Sequence, residues 1–206
     1  ANLLGASILA RLTGYCDDER LTPATLASLG YSMRHQRGDG SWFYAETDLQ
    51  SWIDSFHTGF ILQALRYILE SGLGAPYAAA YRRGVQYYAT HFFLADGTPK
   101  YYHDRVYPLD IHAPTQAISF FAREGKEYRD LTDRIVAWML KNLYGGGSFF
   151  YFRRGRVLTN RIAYMRWSQA WAFHAVTEYL CAAEGGPRLS ALAEKKEEQR
   201  SEDQLW

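Results

Sequence analysis

Apolar residues recur along the chain at the three- and four-residue spacing that is typical of helices. Seven segments show this periodicity, and loops rich in Gly or Pro separate most of them. The second segment begins where Thr22 precedes Pro23, which predicts an N-cap followed by proline at the first helical position. The predicted helices cover residues 3–12, 23–36, 52–71, 77–92, 115–123, 128–143 and 162–183. No segment alternates as a sheet strand would, so the sequence predicts an all-α fold.

A loop and the helix that follows it occur three times. Each loop holds a glycine and each following helix holds a hydroxyl residue: Gly40, Gly97 and Gly147, then Thr58, Thr115 and Ser168. Successive glycines lie 57 and 50 residues apart, and successive hydroxyl residues lie 57 and 53 residues apart. Offsets this regular indicate a repeat of helical hairpins. Because a single hairpin cannot bury its own apolar face, neighbouring hairpins must stack.

The two helices of each unit differ in pattern. The helix after each loop is apolar on most sides, as in residues 56–69 and 167–180, whereas the helix before it is amphipathic, as in 77–92 and 128–143. Helices that are apolar all round lie inside a protein, and amphipathic helices cover it. The sequence therefore predicts inner and outer helix layers, in an α/α toroid or an open arc of about three to four hairpins. This domain spans residues 1–186, and a charged tail spans 187–206.

The first loop resembles the repeat of a known superfamily. Gln36…Asp39-Gly40-Ser41-Trp42 resembles the Gln…Gly…Trp repeat of terpenoid cyclases and protein prenyltransferases, and loops of carbohydrate-active α/α barrels. With the helix start Asp54-Ser55-Phe56-His57-Thr58-Gly59, it is similar to toroid proteins of bacterial polysaccharide gene clusters. The resemblance implies an α/α-toroid fold over most of residues 1–185. Closed toroids of this superfamily carry about six hairpins, so three units imply an open arc, a homo-oligomer or a missing N-terminal half.

The reactions of these families need motifs that this sequence lacks. It has neither the DxDD cluster of squalene-type cyclases nor the DDxxD motif of class I terpene synthases. Cys16 and Cys181 belong to no Cys/His cluster of the kind that holds zinc in prenyltransferases and lanthionine cyclases. The resemblance therefore transfers the scaffold alone, and we expect neither a metal nor a cofactor. Two isolated cysteines, no membrane-length apolar run and no visible signal peptide predict a cytoplasmic protein without membrane contact.

Charge and aromatic content narrow the expected ligand. Lys plus Arg total 23 and Asp plus Glu total 22, and this net charge of +1 does not favour nucleic acid. Sixteen Tyr, 11 Phe and 6 Trp supply aromatic faces, which suit a saccharide when amides, carboxylates or imidazoles lie beside them. Five arginines lie within residues 153–166, and their forked guanidinium groups match carboxylate, sulfate or phosphate. The predicted partner is an anionic saccharide, such as a uronic acid polymer.

Polar residues gather where each inner helix begins, which in a toroid is one mouth of the cavity. The catalytic candidates come from the first two units: Asp54, His57, Asp110 and His112. The substrate-binding candidates come from all three units: Trp52, Tyr101, Tyr102, Gln116, Tyr151, Arg161, Tyr164, Arg166, Trp167 and Gln169. The histidines, with a neighbouring Tyr, suit the proton abstraction of a lyase or epimerase, and the aspartates suit a glycosidase. The structural alternatives are helix capping by the aspartates and packing by the histidines.

These features favour an enzyme that acts on an anionic saccharide by lyase, epimerase or hydrolase chemistry. A non-catalytic glycan-binding or assembly module in polysaccharide biosynthesis is the alternative, and it would use the same aromatic and arginine surface. A prenyl or terpenoid binder is a third hypothesis. It requires a cavity lined by Phe and Trp without polar groups.

Overall fold

Helices in two layers form the described part of the chain. A computed structural model describes residues 2–183. Within that range the α-helices are α1 (Asn2–Leu12), α2 (Leu21–Arg34), α3 (Ser55–Glu70), α4 (Ala78–His91), α5 (His112–Phe121), α6 (Arg129–Leu143) and α7 (Ala170–Ala183). Single 3₁₀ turns lie at Asp48–Gln50, Ala75–Tyr77 and Lys126–Tyr128, and a π-helical turn at Met165–Gln169 leads into α7. The prediction of an all-α fold is confirmed.

The helices pack as an arc of inner helices with an outer layer behind it. Helices α1, α3, α5 and α7 pack side by side in that order, while α2, α4 and α6 pack behind α1, α3 and α5 respectively. Every residue from Ala113 to Phe121 in α5 is buried, whereas α6 buries Ile135 and Met139 and exposes Arg134. The two predicted layers are therefore confirmed.

The inner helices at the two ends of the arc differ from those in its middle. Helix α7 packs on α5 with one face, and Phe173 and Leu180 on its other face are 75% and 51% exposed. On α1, at the opposite end, Ile8 is 59% exposed. The apolar composition of α7 predicts burial on most sides, but the described chain covers only one side of this helix.

The glycine loops tie each unit to the next one. Gly40 has a φ of +96°, and a Cβ there would lie 2.5 Å from the carbonyl oxygen of Arg83 in α4. Gly97 has a φ of +86°, and a Cβ there would lie 2.5 Å from the carbonyl oxygen of Arg134 in α6. Glycine alone allows both the positive φ and this close approach. The first two loops thus each rest on the outer helix of the following unit, which explains why Gly40 and Gly97 recur at equivalent positions. Gly147 of the third loop has neither the positive φ nor this backbone contact.

The hydroxyl residues of the repeat have one shared role. Each donates a hydrogen bond to the backbone carbonyl four residues earlier, at 2.7 Å for Thr58, 2.8 Å for Thr115 and 2.9 Å for Ser168. All three side chains are buried. This recurring bond marks the same point at the start of each inner helix, so the units can be aligned in space as well as in sequence.

A small antiparallel sheet lies at the loop end of the inner helices. Its strands are β1 (Leu109–Asp110), β2 (Arg153–Arg154) and β3 (Thr159–Asn160), in the order β1-β2-β3. Asp110 pairs with Arg153, and Arg153 also pairs with Asn160. This sheet could not be predicted from the sequence, because strands of two residues are too short to show an alternating pattern of apolar and polar residues.

Some predicted helix boundaries were wrong. Helix α2 begins at Leu21, so Thr22 lies within its first turn and is not the N-cap. The chain already turns there, since the amide of Leu21 donates to the carbonyl of Asp18 at 3.0 Å. Helix α5 begins at His112, and the segment before Met165 is not helical.

The predicted tail, residues 187–206, lies outside the described residues, and the domain boundary at residue 186 stays a prediction. The sequence-based expectations for membrane segments and for the cysteines can be compared with the structure of residues 2–183. Within that range no helix combines the length and the apolar character that a membrane crossing requires. Cys16 and Cys181 are free thiols, and both are exposed.

Candidate active site

A cleft of about 610 Å³ opens where the inner helices begin. Its walls come from the starts of α3 and α5, from β1 and β2, and from the π-helical turn before α7. The lining residues are Asp54, Phe56, His57, Tyr101, Asp110, His112, Ala113, Phe152, Arg153, Arg166, Trp167 and Trp171. The structure thus brings all four predicted catalytic residues into one cleft. Of the ten predicted substrate-binding residues, Tyr101, Arg166 and Trp167 line it.

Asp54 and His57 form the first carboxylate–imidazole pair. Asp54 is the N-cap of α3 and accepts the backbone amide of His57 at 2.8 Å. The Nδ1 atom of His57 lies 2.9 Å from both carboxylate oxygens, and Trp52 donates its indole N–H to Oδ2 at 3.2 Å. Asp54 is 6% exposed, whereas the side chain of His57 is 45% exposed. Helix capping and pairing with the histidine are therefore performed by the same carboxylate.

Asp110 and His112 form the second pair, which an arginine completes. Asp110 accepts the backbone amide of His112 at 3.0 Å and its Nδ1–H at 2.7 Å. Arg153, opposite Asp110 in the sheet, donates to Oδ2 from Nε at 2.8 Å, and its Nη2 atom forms an ion pair with the same oxygen at 2.7 Å. Burial by itself raises the pKa of Asp110, but the hydrogen bonds from His112 and the contact with Arg153 outweigh it and lower that pKa. Asp110 is therefore a charged carboxylate at neutral pH.

The carboxylates fix which nitrogen of each imidazole carries the proton. A carboxylate only accepts hydrogen bonds, so Nδ1 of His57 and of His112 must be the donor. In the neutral ring this leaves Nε2 as an unprotonated acceptor. Neither Nε2 atom has a hydrogen-bond partner among residues 2–183. Both histidines are therefore oriented as bases.

Aromatic rings surround the two imidazoles. The ring of Phe56 lies between them, with centroid distances of 5.4 Å to His57 and 5.1 Å to His112. His112 is also flanked by Trp171 at 6.2 Å and Trp167 at 6.3 Å, and its side chain is only 15% exposed. Such flat apolar walls offer stacking surfaces for a ring ligand and limit the access of water to the second pair.

Several predicted binding residues support the cleft without lining it. Trp52 stacks on Tyr44 at 4.9 Å and holds Asp54. Tyr102 packs on the cleft residue Tyr101 at 4.7 Å, and Tyr164 packs on Phe152 at 5.1 Å. The guanidinium of Arg161 lies 5.4 Å from the ring of Tyr151, and neither residue lines the cleft. Direct ligand contact by these five residues stays a prediction: Trp52, Tyr102, Tyr151, Arg161 and Tyr164.

Gln116 and Gln169 do not reach the cleft. Gln116 is fully buried and donates to the side chain of Gln63 on α3 at 2.9 Å. Gln169 accepts the amide of Phe150 at 2.8 Å and donates to the carbonyl of the same residue at 2.7 Å. Both amides hold neighbouring segments together, so the structure places them with the scaffold and not with the substrate-binding residues.

Five lining residues were absent from the sequence-based candidates: Phe56, Ala113, Phe152, Arg153 and Trp171. The position of Phe56, between Asp54 and His57, was the signal that could have identified it. Arg153 belongs to the arginine-rich stretch, but its partner Asp110 is 43 residues away and only the sheet joins them. Among residues 2–183, no three His, Cys, Asp or Glu side chains form a group that could hold a metal ion.

Comparison with known proteins supports the fold. No protein-family model matches the sequence, and no curated protein sequence matches it. Among solved structures, the chain is similar to cellobiose 2-epimerase from Bacillus thermoamylovorans B4167, with a TM-score of 0.61 and 13% sequence identity. The alignment covers 87% of this chain and 51% of the epimerase chain, so this chain spans about half of that protein's length. This likeness, together with the two helix layers, shows an α/α-toroid arrangement.

Proposed function

We propose that the protein is a carbohydrate epimerase that moves a proton to and from a sugar carbon beside a carbonyl group. The observation that carries this proposal is the pair of Asp–His dyads on one aromatic cleft. The dyads come from neighbouring inner helices, α3 and α5, and a single ring, Phe56, contacts both imidazoles. Two histidines with free Nε2 atoms are the groups that such a proton transfer requires.

The reaction needs one base and one acid. A neutral histidine takes the proton from the carbon, that C–H bond breaks, and its electron pair moves toward the carbonyl oxygen to give an enediolate. The second histidine, in its protonated form, then gives a proton to the opposite face of the same carbon. The carboxylates of Asp54 and Asp110 stabilise each imidazolium and fix its orientation. Arg153, the arginine beside the second dyad, stabilises the developing oxyanion.

Proton transfer fits this site better than glycoside hydrolysis. A glycosidase needs one carboxylic acid that stays protonated near neutral pH, which requires a raised pKa. The pKa of Asp110 is instead lowered, and its hydrogen bonds to His112 and Arg153 occupy both oxygens. Elimination by a lyase also uses a base, and an acid that protonates the departing glycosidic oxygen, so the likeness to a cellobiose 2-epimerase is what favours epimerisation.

An anionic saccharide is the proposed substrate. The cleft contains two arginines, Arg153 and Arg166, beside the aromatic walls. The similar solved structure is described as a cellobiose 2-epimerase, which supports a saccharide and a chemistry of this type. The polar groups of the cleft disfavour the prenyl-binding hypothesis, which requires an apolar lining. A non-catalytic glycan-binding module is the second candidate, favoured by the exposed ring of Trp167, which is 60% accessible at the cleft.

Deuterium exchange tests the proposal. The purified protein is incubated in D₂O with cellobiose or with cellobiouronic acid, in which the non-reducing sugar is a glucuronate, and the products are followed by NMR. We expect deuterium at the carbon beside the carbonyl, together with the epimer. His57→Gln and His112→Gln should each lower the exchange rate by about a hundredfold or more. His91→Gln, on the outer helix α4, is the control and should keep the rate.

The other outcomes identify the other hypotheses. Release of monosaccharide without deuterium would indicate a hydrolase, and an unsaturated uronate would indicate a lyase. Binding of a saccharide without any reaction would support the glycan-binding module. A lowered melting temperature in His57→Gln and His112→Gln that accompanies their loss of exchange would assign these two histidines a packing role.

A further inference from the structure

The third repeat unit lacks the dyad that the first two units carry. The buried hydroxyls align the units, and the position directly before the hydroxyl holds His57 in the first unit, Pro114 in the second and Trp167 in the third. The position four residues before it holds Asp54 in the first unit and Tyr164 in the third. The dyad of the second unit is shifted, with Asp110 five and His112 three residues before Thr115. The third unit therefore contributes an indole and a neighbouring cation to the cleft where the others contribute a carboxylate and an imidazole.

The π-helical turn presents this cation to the cleft. Met165–Gln169 form the turn, and Arg166 and Trp167 within it both line the cleft. π-helical turns place side chains in positions that a regular α-helix does not offer, and they are frequent at functional sites. The backbone amides of Ser168 and Gln169 both donate to the carbonyl of Tyr164, at 2.9 and 3.1 Å, which fixes the turn.

Arg166 differs from the other arginines of its stretch. Four of them contact other residues of the chain: Arg153 binds Asp110, Arg154 binds Asn142, Arg156 lies over Tyr107 and Arg161 lies over Tyr151. The positive charge of Arg153 is offset by the carboxylate of Asp110 at 2.7 Å. The guanidinium of Arg166 has no ion pair or hydrogen bond with any side chain in residues 2–183, although it lines the cleft. Its charge is thus available to a ligand.

We propose that Arg166 determines substrate specificity by binding the anionic group of the saccharide, while Trp167 stacks on the sugar ring that carries this group. Arginine donors match a carboxylate or a phosphate in a bidentate manner. The reacting sugar lies over the two dyads, and the acidic sugar lies at the third unit. This assignment rests on the proposed function, because it takes the ligand of the cleft to be a saccharide.

Equilibrium binding tests the assignment without reference to turnover. Isothermal titration calorimetry is performed with three disaccharides: neutral cellobiose, cellobiouronic acid as the carboxylate and cellobiose 6′-phosphate as the phosphate. We expect the wild-type protein to bind at least one anionic disaccharide about tenfold more tightly than cellobiose. Arg166→Gln should abolish this preference and change the Kd for cellobiose by no more than about twofold. If Arg166→Gln weakens the binding of cellobiouronic acid, Arg166 binds the carboxylate. If it weakens the binding of cellobiose 6′-phosphate, Arg166 binds the phosphate.

Arg156→Gln is the matched control, since Arg156 is an exposed arginine of the same stretch that neither lines the cleft nor belongs to the predicted binding residues. It should keep the preference, and raising the ionic strength should weaken the preference of the wild-type protein. The assignment is overturned if wild-type protein binds the three disaccharides equally or not at all, or if Arg166→Gln keeps the preference. Deuterium exchange without a preference refutes this assignment alone, whereas a preference without exchange refutes the proposed reaction alone.

Discussion

Replacing Arg153 by Met tests how the small sheet maintains the second dyad. Arg153 donates from Nε at 2.8 Å to one oxygen of Asp110, a carboxylate that is 3% exposed, and Nη2 forms an ion pair with that oxygen at 2.7 Å. Methionine keeps most of the length and apolar contact of the arginine side chain but removes the hydrogen-bond donor and the charge. Asp110 is then left with the two hydrogen bonds from His112 alone.

The expected loss of stability follows from the burial of the two partners. Hydrogen bonds to a charged group contribute about 1.5–3 kcal/mol, and the buried carboxylate loses this contribution when the Arg153 donor is removed. Since 41% of the Arg153 side chain is exposed, solvent screens the pair and water replaces part of what is lost. We therefore expect Arg153→Met to lower the free energy of unfolding by about 1–2 kcal/mol. For a chain of this size that corresponds to about 2–8 °C in the melting temperature.

The pH dependence gives a second, independent signal. The pKa of Asp110 is lowered in the folded protein, so its charged form stabilises the fold above the unfolded pKa. This contribution is lost as the pH falls through the folded pKa. Without Arg153, one cause of the lowering disappears and the loss begins at a higher pH. The difference between wild type and variant should therefore be full at neutral pH and narrow below about pH 4.

Urea unfolding of wild type and variants, at pH 7 and at several acidic pH values, measures both effects. Arg154→Met is the control, because Arg154 lies beside Arg153 on β2, is exposed and donates only to the Asn142 side chain at 3.1 Å. It should cost less than about 0.5 kcal/mol. Equal losses in the two variants, or a difference that does not change with pH, would show that the contact with Asp110 does not stabilise the protein.

Two further predictions concern the scaffold, and urea unfolding measures both. Arg66→Met leaves the buried Glu124 without its cation and should cost about 3–5 kcal/mol at pH 7, whereas Glu70→Gln, which removes the exposed partner of the same arginine, should cost under about 0.5. Burial raises the pKa of Glu124, so the cost of Arg66→Met should shrink as the pH falls and this group protonates; a constant cost would argue against the buried pair. Gly72 and Gly97 have φ values of +81° and +86°, but only at Gly97 would a Cβ meet backbone, at 2.5 Å. Gly72→Ala should therefore cost about 1 kcal/mol and Gly97→Ala about 3 or more, and equal costs would contradict the clash.

The sequence was sufficient to predict the helices and their layers because both depend on local periodicity. The positions of the apolar residues in each helix show which of its faces is buried. Helix α5 is buried along nearly its whole length, whereas α6 is buried on one face only. The repeat was visible because Gly40 and Gly97 share one conformation and one close backbone contact, and because the buried hydroxyl makes the same hydrogen bond in all three units. Helix starts were less predictable, since they depend on turns such as the one at Asp18, which a periodic pattern does not contain.

Whether a predicted polar residue lines the cleft depends on its contacts with other elements of the fold. Gln116 lies one turn after His112, yet it is buried because Gly59 allows α5 to approach α3 closely. A Cβ at Gly59 would lie 2.5 Å from the Cγ atom of Gln116. Gln169 lies at the end of the π-helical turn and there meets the backbone of Phe150. The residues that neighbour each glutamine in the sequence do not indicate these contacts. The composition of the helix starts therefore could not distinguish residues that support the scaffold from residues that line the cleft.

The aligned units show how a repeat can hold its shape while its chemistry changes. The hydroxyl that bonds back to the fourth preceding carbonyl is kept in all three units, as Thr58, Thr115 and Ser168. Side chains that precede this hydroxyl by one to five residues line the cleft in every unit: Asp54 and His57, Asp110 and His112, and Arg166 and Trp167. Two units place a carboxylate and an imidazole there, and the third places Arg166 and an indole there. A cleft bounded by stacked units can therefore have a catalytic side and a recognition side while the packing of the units stays the same. For this reason Arg166→Gln should alter ligand preference and leave the melting temperature unchanged.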